Sequence, residues 1–91
     1  MGLIMIRVFI KVVLSEVYEK LHEKDFVVEV PEGSTINDVI NEFERRYGVK
    51  ISGIGTDEVA ILHNGHYPMK YMNEEVKNND QITIIPGISG G

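Results

Sequence analysis

The chain's 91 residues, 43% hydrophobic and 25% charged, read as one globular domain large enough to bury a core without a metal or disulfide. The absence of cysteine excludes a disulfide framework, a thiolate-held zinc or iron–sulfur centre and a thiol nucleophile. A net charge of −5 with dispersed basic residues argues against a nucleic-acid surface.

The first element is a strand over residues 3–13, with Ile4, Ile6, Val8, Ile10 and Val12 on one face and Met5, Arg7, Phe9 and Lys11 on the other. Arg7 and Lys11 interrupt the apolar run, so it is neither a signal peptide nor a membrane span, and a cytoplasmic location is expected. In residues 14–24, Val17, Tyr18 and Leu21 have helical spacing, which fits a short helix or a wide hairpin loop. The second strand, 25–30, turns Phe26, Val28 and Val30 inward and pairs most simply with the first.

Pro31 and Gly33 mark a turn, and Thr35 is placed to cap a helix with Asp38 three residues on. Ile36, Val39, Ile40, Phe43 and Tyr47 form one apolar stripe of that helix. Gly48 stands where a left-handed residue ends it, and Arg45 and Arg46 suit the negative end of its dipole.

The stretch ISGIGTDE is a loop whose glycines do not form a nucleotide-binding G-x-G-x-x-G. Asn64 and Gly65, between two β-like runs, predict a hairpin turn needing positive φ at both positions. A last strand follows and stops at Pro86. The order β-β-α-β-(β)-β, with a right-handed crossover through the helix, sets the first and last strands side by side in parallel. This is an α+β β-grasp, a mixed sheet of four to five strands with one main helix across it. The division expected is a domain at 1–86 and a flexible tail at 87–91.

His63, His66 and Tyr67 flank the hairpin turn. Two histidines without a nearby carboxylate do not complete a zinc site, so they are read as surface or half-buried turn residues and no metal is expected. His22 is read as solvated, as are the charges of EFERR and NEEVKNND. Met5 and Phe9, on the outer face of the first strand, are either covered by the 17–21 segment or form a docking face for a partner. No constellation of catalytic side chains stands out, so an autonomous enzyme is not expected.

The chain ends QITIIPGISGG, and the last two glycines reverse nothing. At glycine's usual abundance such a pair closes about one chain in two hundred by chance. MIRVFIKVV, GSTINDVINEFERRYG, ILHNG and NNDQITIIPGISGG together resemble the ThiS/MoaD family of ubiquitin-like sulfur carriers. The likeness spans almost the whole chain and is strongest from Asp80 onward; Pro86 and the tail look more like MoaD, the small subunit of molybdopterin synthase. Three features differ: Gly87 replaces a second proline, NNDQ replaces an acidic DGDE turn, and the loop ahead of Asp25 is long.

The resemblance implies that an E1-like enzyme adenylates the Gly91 carboxylate with ATP and that sulfur transfer then makes a thiocarboxylate. It implies molybdopterin biosynthesis as the setting and the large subunit of molybdopterin synthase as a further partner. A protein modifier joined to lysines, or a ThiS-type carrier for thiamin, are the alternatives. No nucleic acid or membrane is a partner, and no cofactor stays bound, ATP being used by the activating enzyme. Gly87, Ile88, Ser89 and Gly90 would enter the partner's site. The tail can reach about 15 Å at roughly 3.3 Å per residue, and its glycines have no Cβ to obstruct a narrow channel.

Overall fold

Exposed and buried side chains alternate without exception along β1 (Met5–Val12), so one face is core and the other is open. This computed structural model describes residues 2–51 and 59–87. The expected loop at 52–58 and the tail residues Ile88, Ser89, Gly90 and Gly91 lie outside the described residues.

The elements that follow are α1 (Ser15–Leu21), β2 (Asp25–Pro31), α2 (Ile36–Tyr47), β3 (Val59–His63), a 3-10 turn (Tyr71–Asn73) and β4 (Gln81–Pro86). The sheet order is β2-β1-β4-β3. β1 pairs antiparallel with β2, placing Val8 opposite Val28, and parallel with β4, placing Ile10 opposite Ile82. β3 closes the other edge antiparallel to β4. The first and last strands are therefore the central pair, and the sheet with α2 across it is a β-grasp.

Helix α2 begins on a full capping box. Asp38 N–H donates to Thr35 Oγ1 at 3.3 Å, and Thr35 N–H donates to Asp38 Oδ2 at 3.0 Å. It ends at Gly48 with φ 70°, a left-handed residue whose N–H donates to the Glu44 carbonyl. Ile36, Val39, Ile40 and Phe43 are buried in one cluster with Ile6, Val8, Ile10, Ile82 and Ile84. Between the two readings of residues 14–24, the helix holds: α1 buries Val17 and leaves Tyr18 exposed.

Ile4 was expected inside and is instead 64% exposed. The β2 partner of Met5 is Pro31, and past it the chain turns at Glu32, whose N–H donates to the Ile4 carbonyl at 2.7 Å, so Ile4 lies beyond the last apolar pair of the β1–β2 ladder. The bracketed strand after the hairpin also does not form. Asn64 and Gly65 do take positive φ, 51° and 85°, and His63 and His66 exchange two backbone hydrogen bonds around them. Pro68 then offers no N–H for a ladder, and the chain goes into turns and the 3-10 segment.

Val76 is fully buried although it sits among charges. Its N–H donates to the Ser34 carbonyl at 2.9 Å, while Ile36 N–H donates to the Glu74 carbonyl at 2.9 Å. The 74–76 stretch is thereby stitched to the entrance of α2, which carries the Val76 side chain into the core.

Candidate functional site

β4 runs between β1 and β3, parallel to β1, and its last residue, Pro86, stands at one end of the central strand pair. The last rung sets Val12 opposite Ile84, and Val13 N–H adds a hydrogen bond to the Ile84 carbonyl at 2.8 Å. Pro86, exposed and without an N–H, ends the strand opposite Val59. Gly87 is half-buried and is the last described residue of the tail. Gly91, the expected point of activation, and Ile88, Ser89 and Gly90, expected to enter a partner, lie beyond it.

The outer face of the sheet is open. Met5 is 49% exposed, Phe9 39% and Val27 38%, and Phe9 stands directly opposite Val27 across the β1–β2 ladder. Helix α1, expected as one cover for this face, instead inserts Val17 into the core. Arg7 opposite Glu29 and Lys11 opposite Asp25 flank the apolar residues, so the face combines an apolar centre with balanced charges. That is the composition of a surface that can be buried without leaving an excess of one sign.

His63 departs from its reading as a turn residue without a nearby carboxylate. Its Nδ1 lies 2.6 Å from Glu74 Oε2 and its Nε2 lies 2.6 Å from Asp80 Oδ2. Burial pulls its pKa down, but the hydrogen bonds and charges of the two carboxylates outweigh this and raise it above the usual 6.5. The His63 hydrogen bond holds Glu74 below its ordinary value. Burial pushes Asp80 up, but hydrogen bonds from Asn64, His63 and the Lys77 backbone bring it below its ordinary value. Glu74 and Asp80, solvated on the sequence reading, instead meet the His63 ring from 11 and 17 residues away, a separation with no local periodicity to reveal it. His66 and Tyr67 are exposed, as expected.

Among the described residues no group of three or more His, Asp or Glu is arranged to hold a metal. The carboxylates approach different nitrogens of one ring, on opposite edges, so they do not converge on a common point. No helix among those residues is long and apolar enough to cross a membrane.

The chain is similar over 91% of its length to the putative molybdopterin converting factor subunit 1 of Pyrococcus furiosus, with 26% identity, 99% of that chain covered and a TM-score of 0.72. It also superposes on small archaeal modifier protein 1 of Haloferax volcanii, at 16% identity and TM-score 0.75, covering 91% of this chain and 99% of that one. The protein of the same description from Methanosarcina acetivorans gives 20% identity and TM-score 0.70, covering 97% and 99%. At those last two identities the likeness concerns the fold. No curated protein matches the sequence. The ThiS family model matches residues 12–91, from the end of β1 through the strand that leads to the tail and on to both final glycines; the chain belongs to the ThiS family of ubiquitin-like sulfur carriers.

Proposed function

We propose that this protein is a cytoplasmic sulfur carrier whose working group is the Gly91 carboxylate, and that it serves molybdopterin biosynthesis. The observation that carries the reading is the position of β4. A central strand with Ile82 and Ile84 buried in the core stops at Pro86, five positions ahead of Gly91, so the residues leading to the carboxylate are anchored to the centre of the sheet at Pro86. The similarity to a putative molybdopterin converting factor subunit supports the choice of pathway.

The chemistry asks little of the chain beyond reach and access. A carboxylate oxygen of Gly91 attacks the α-phosphorus of ATP in an E1-like partner, and the bond to the β-phosphate breaks to release pyrophosphate. A donor at the oxidation level of hydrosulfide then attacks the acyl carbon. The C–S bond forms, the C–O bond to AMP breaks, and a thiocarboxylate remains. Activation splits a hard substitution at a poor electrophile into two easier steps, both in the partner's site. The protein is a carrier in this scheme, and the open face around Met5 and Phe9 is where the partner docks.

Adenylation is tested by mixing the protein with its E1-like partner and ATP and following release of pyrophosphate. Wild type should support it. Removing Gly91, adding one residue after it, or Gly90→Val should each abolish it, the last by restricting φ and adding bulk in the tail. Equal release from the Gly91 deletion would overturn the proposal. An adduct on a lysine of another protein would instead identify a modifier.

A further inference from the structure

We propose that Glu74, His63 and Asp80 form a proton-operated clamp, which ties the β3–β4 connection to the strand leading to the tail while the His63 ring is an imidazolium, and loosens when that ring loses its proton. An ionised carboxylate offers only lone pairs, and each ring nitrogen of His63 has one at 2.6 Å. Both nitrogens must then carry hydrogen, which only the charged ring does.

The carboxylates' other contacts favour their ionised form. Glu74 Oε1 accepts the Met69 N–H at 3.1 Å. Asp80 Oδ1 accepts from Asn64 Nδ2 at 3.0 Å, and Asp80 Oδ2 also accepts the Lys77 N–H at 2.8 Å. The side chains of His63 and Asp80 are only 11% and 14% exposed, so solvent screens the pair weakly.

Each arm holds a different piece of chain. Glu74 gathers residues 69–74 through the Met69 amide. Asp80 gathers 77–80 through the Lys77 amide and, through Asn64, the first residue of β4: Asn64 Oδ1 accepts the Gln81 N–H at 2.8 Å. A neutral ring has one N–H, so one of the two contacts would set lone pair against lone pair, and that arm must open.

The other charged groups around the ring do not replace the missing proton. Lys77 directs its ammonium to Glu75 at 2.6 Å, Lys70 meets Glu74 through its backbone, and His66 meets His63 through backbone bonds alone. β4 brings no titratable side chain; its residue opposite His63 is Ile82. Because the folded pKa of His63 is raised, its contribution is complete below about 6.5 and is lost as pH rises through the folded value. Glu74 and Asp80 have lowered values, so their contribution is present above 4.5 and 3.8 and is lost as pH falls through their folded values. The clamp is therefore fully closed between about 4.5 and 6.5.

An NMR titration of the whole chain tests this. At pH 6 both ring nitrogens of His63 should carry hydrogen, with a pKa above 6.5. As the ring deprotonates, the protection against hydrogen exchange of the amide on the arm that loses its ring N–H, Met69 for Glu74 or Lys77 for Asp80, should fall, while that of the β1–β2 ladder stays. His63→Gln, which cannot carry the charge, should remove this pH dependence. A single protonated ring nitrogen at pH 6, a pKa at or below 6.5, or amide protection indifferent to the titration would each overturn the proposal. None of these readouts requires the tail or a partner.

Discussion

Phe43 of α2 and Phe26 of β2 meet edge to face with ring centroids 5.0 Å apart, and Tyr47 closes a triangle with both at 5.1 and 4.8 Å. Phe43 is wholly buried, so this contact joins the helix to the edge half of the sheet. Edge-to-face pairs add stability beyond the area they bury because a positive ring edge meets a negative ring face.

Phe43→Ala should therefore destabilise the fold by about 3–5 kcal/mol, the sum of lost transfer energy and the cavity left behind. That is a large share of the roughly 5–15 kcal/mol available to a small domain. Urea unfolding measures it; a loss below about 1 kcal/mol would mean the helix is not anchored here.

Thr35→Ala should remove the side-chain half of the capping box at α2, the Asp38 N–H bond to Thr35 Oγ1, while leaving the main-chain bond from Thr35 N–H to Asp38, and destabilise by about 1 kcal/mol. Thr35→Ser, which keeps an acceptor oxygen, should recover most of it. The comparison separates the cap from loss of the methyl group, and denaturation midpoints at unchanged slope read it directly.

Much of this architecture was legible because it is written in local periods. Two-residue alternation placed Val8, Ile10, Phe26 and Val28 in the core, and the 3.6-residue stripe did the same for Ile36 to Phe43. Asn64 and Gly65 announced their turn through backbone preference. Val76 and the His63 clamp carried no such signature, because their environment is supplied by segments far along the chain. A lone valine among charges has no period, and histidine 11 and 17 residues from its carboxylates has no motif. Ile4 fits the alternation but lies past the point where the neighbouring strand turns, a limit that β1 alone does not contain. The tail was legible as a motif, and its chemistry rests on the family.

Phe9→Asp should leave the chain folded at a cost of about 1 kcal/mol, from the lost cross-strand contact with Val27 and the poor fit of aspartate in a strand. It should weaken binding to the E1-like partner by tenfold or more, which corresponds to about 1.4 kcal/mol. Calorimetric titration with the partner checks the claim. Unchanged affinity would move the docking surface elsewhere on the domain.

If the pathway is molybdopterin synthesis, the thiocarboxylate form should bind the large subunit of molybdopterin synthase and deliver its sulfur there. Sulfur delivered to a thiazole synthase, with none to the large subunit, would redirect the carrier to thiamin.

On the proposed function, sulfur is carried on the main-chain terminus at Gly91. Its most direct measurement is the intact mass of the protein after incubation with its E1-like partner, ATP and a sulfur donor, followed by fragmentation. The expected result is a mass increase equal to one oxygen-for-sulfur exchange, confined to the C-terminal peptide and absent without ATP. No exchange with a partner that demonstrably binds the protein, or the same exchange in a chain lacking Gly91, would contradict it.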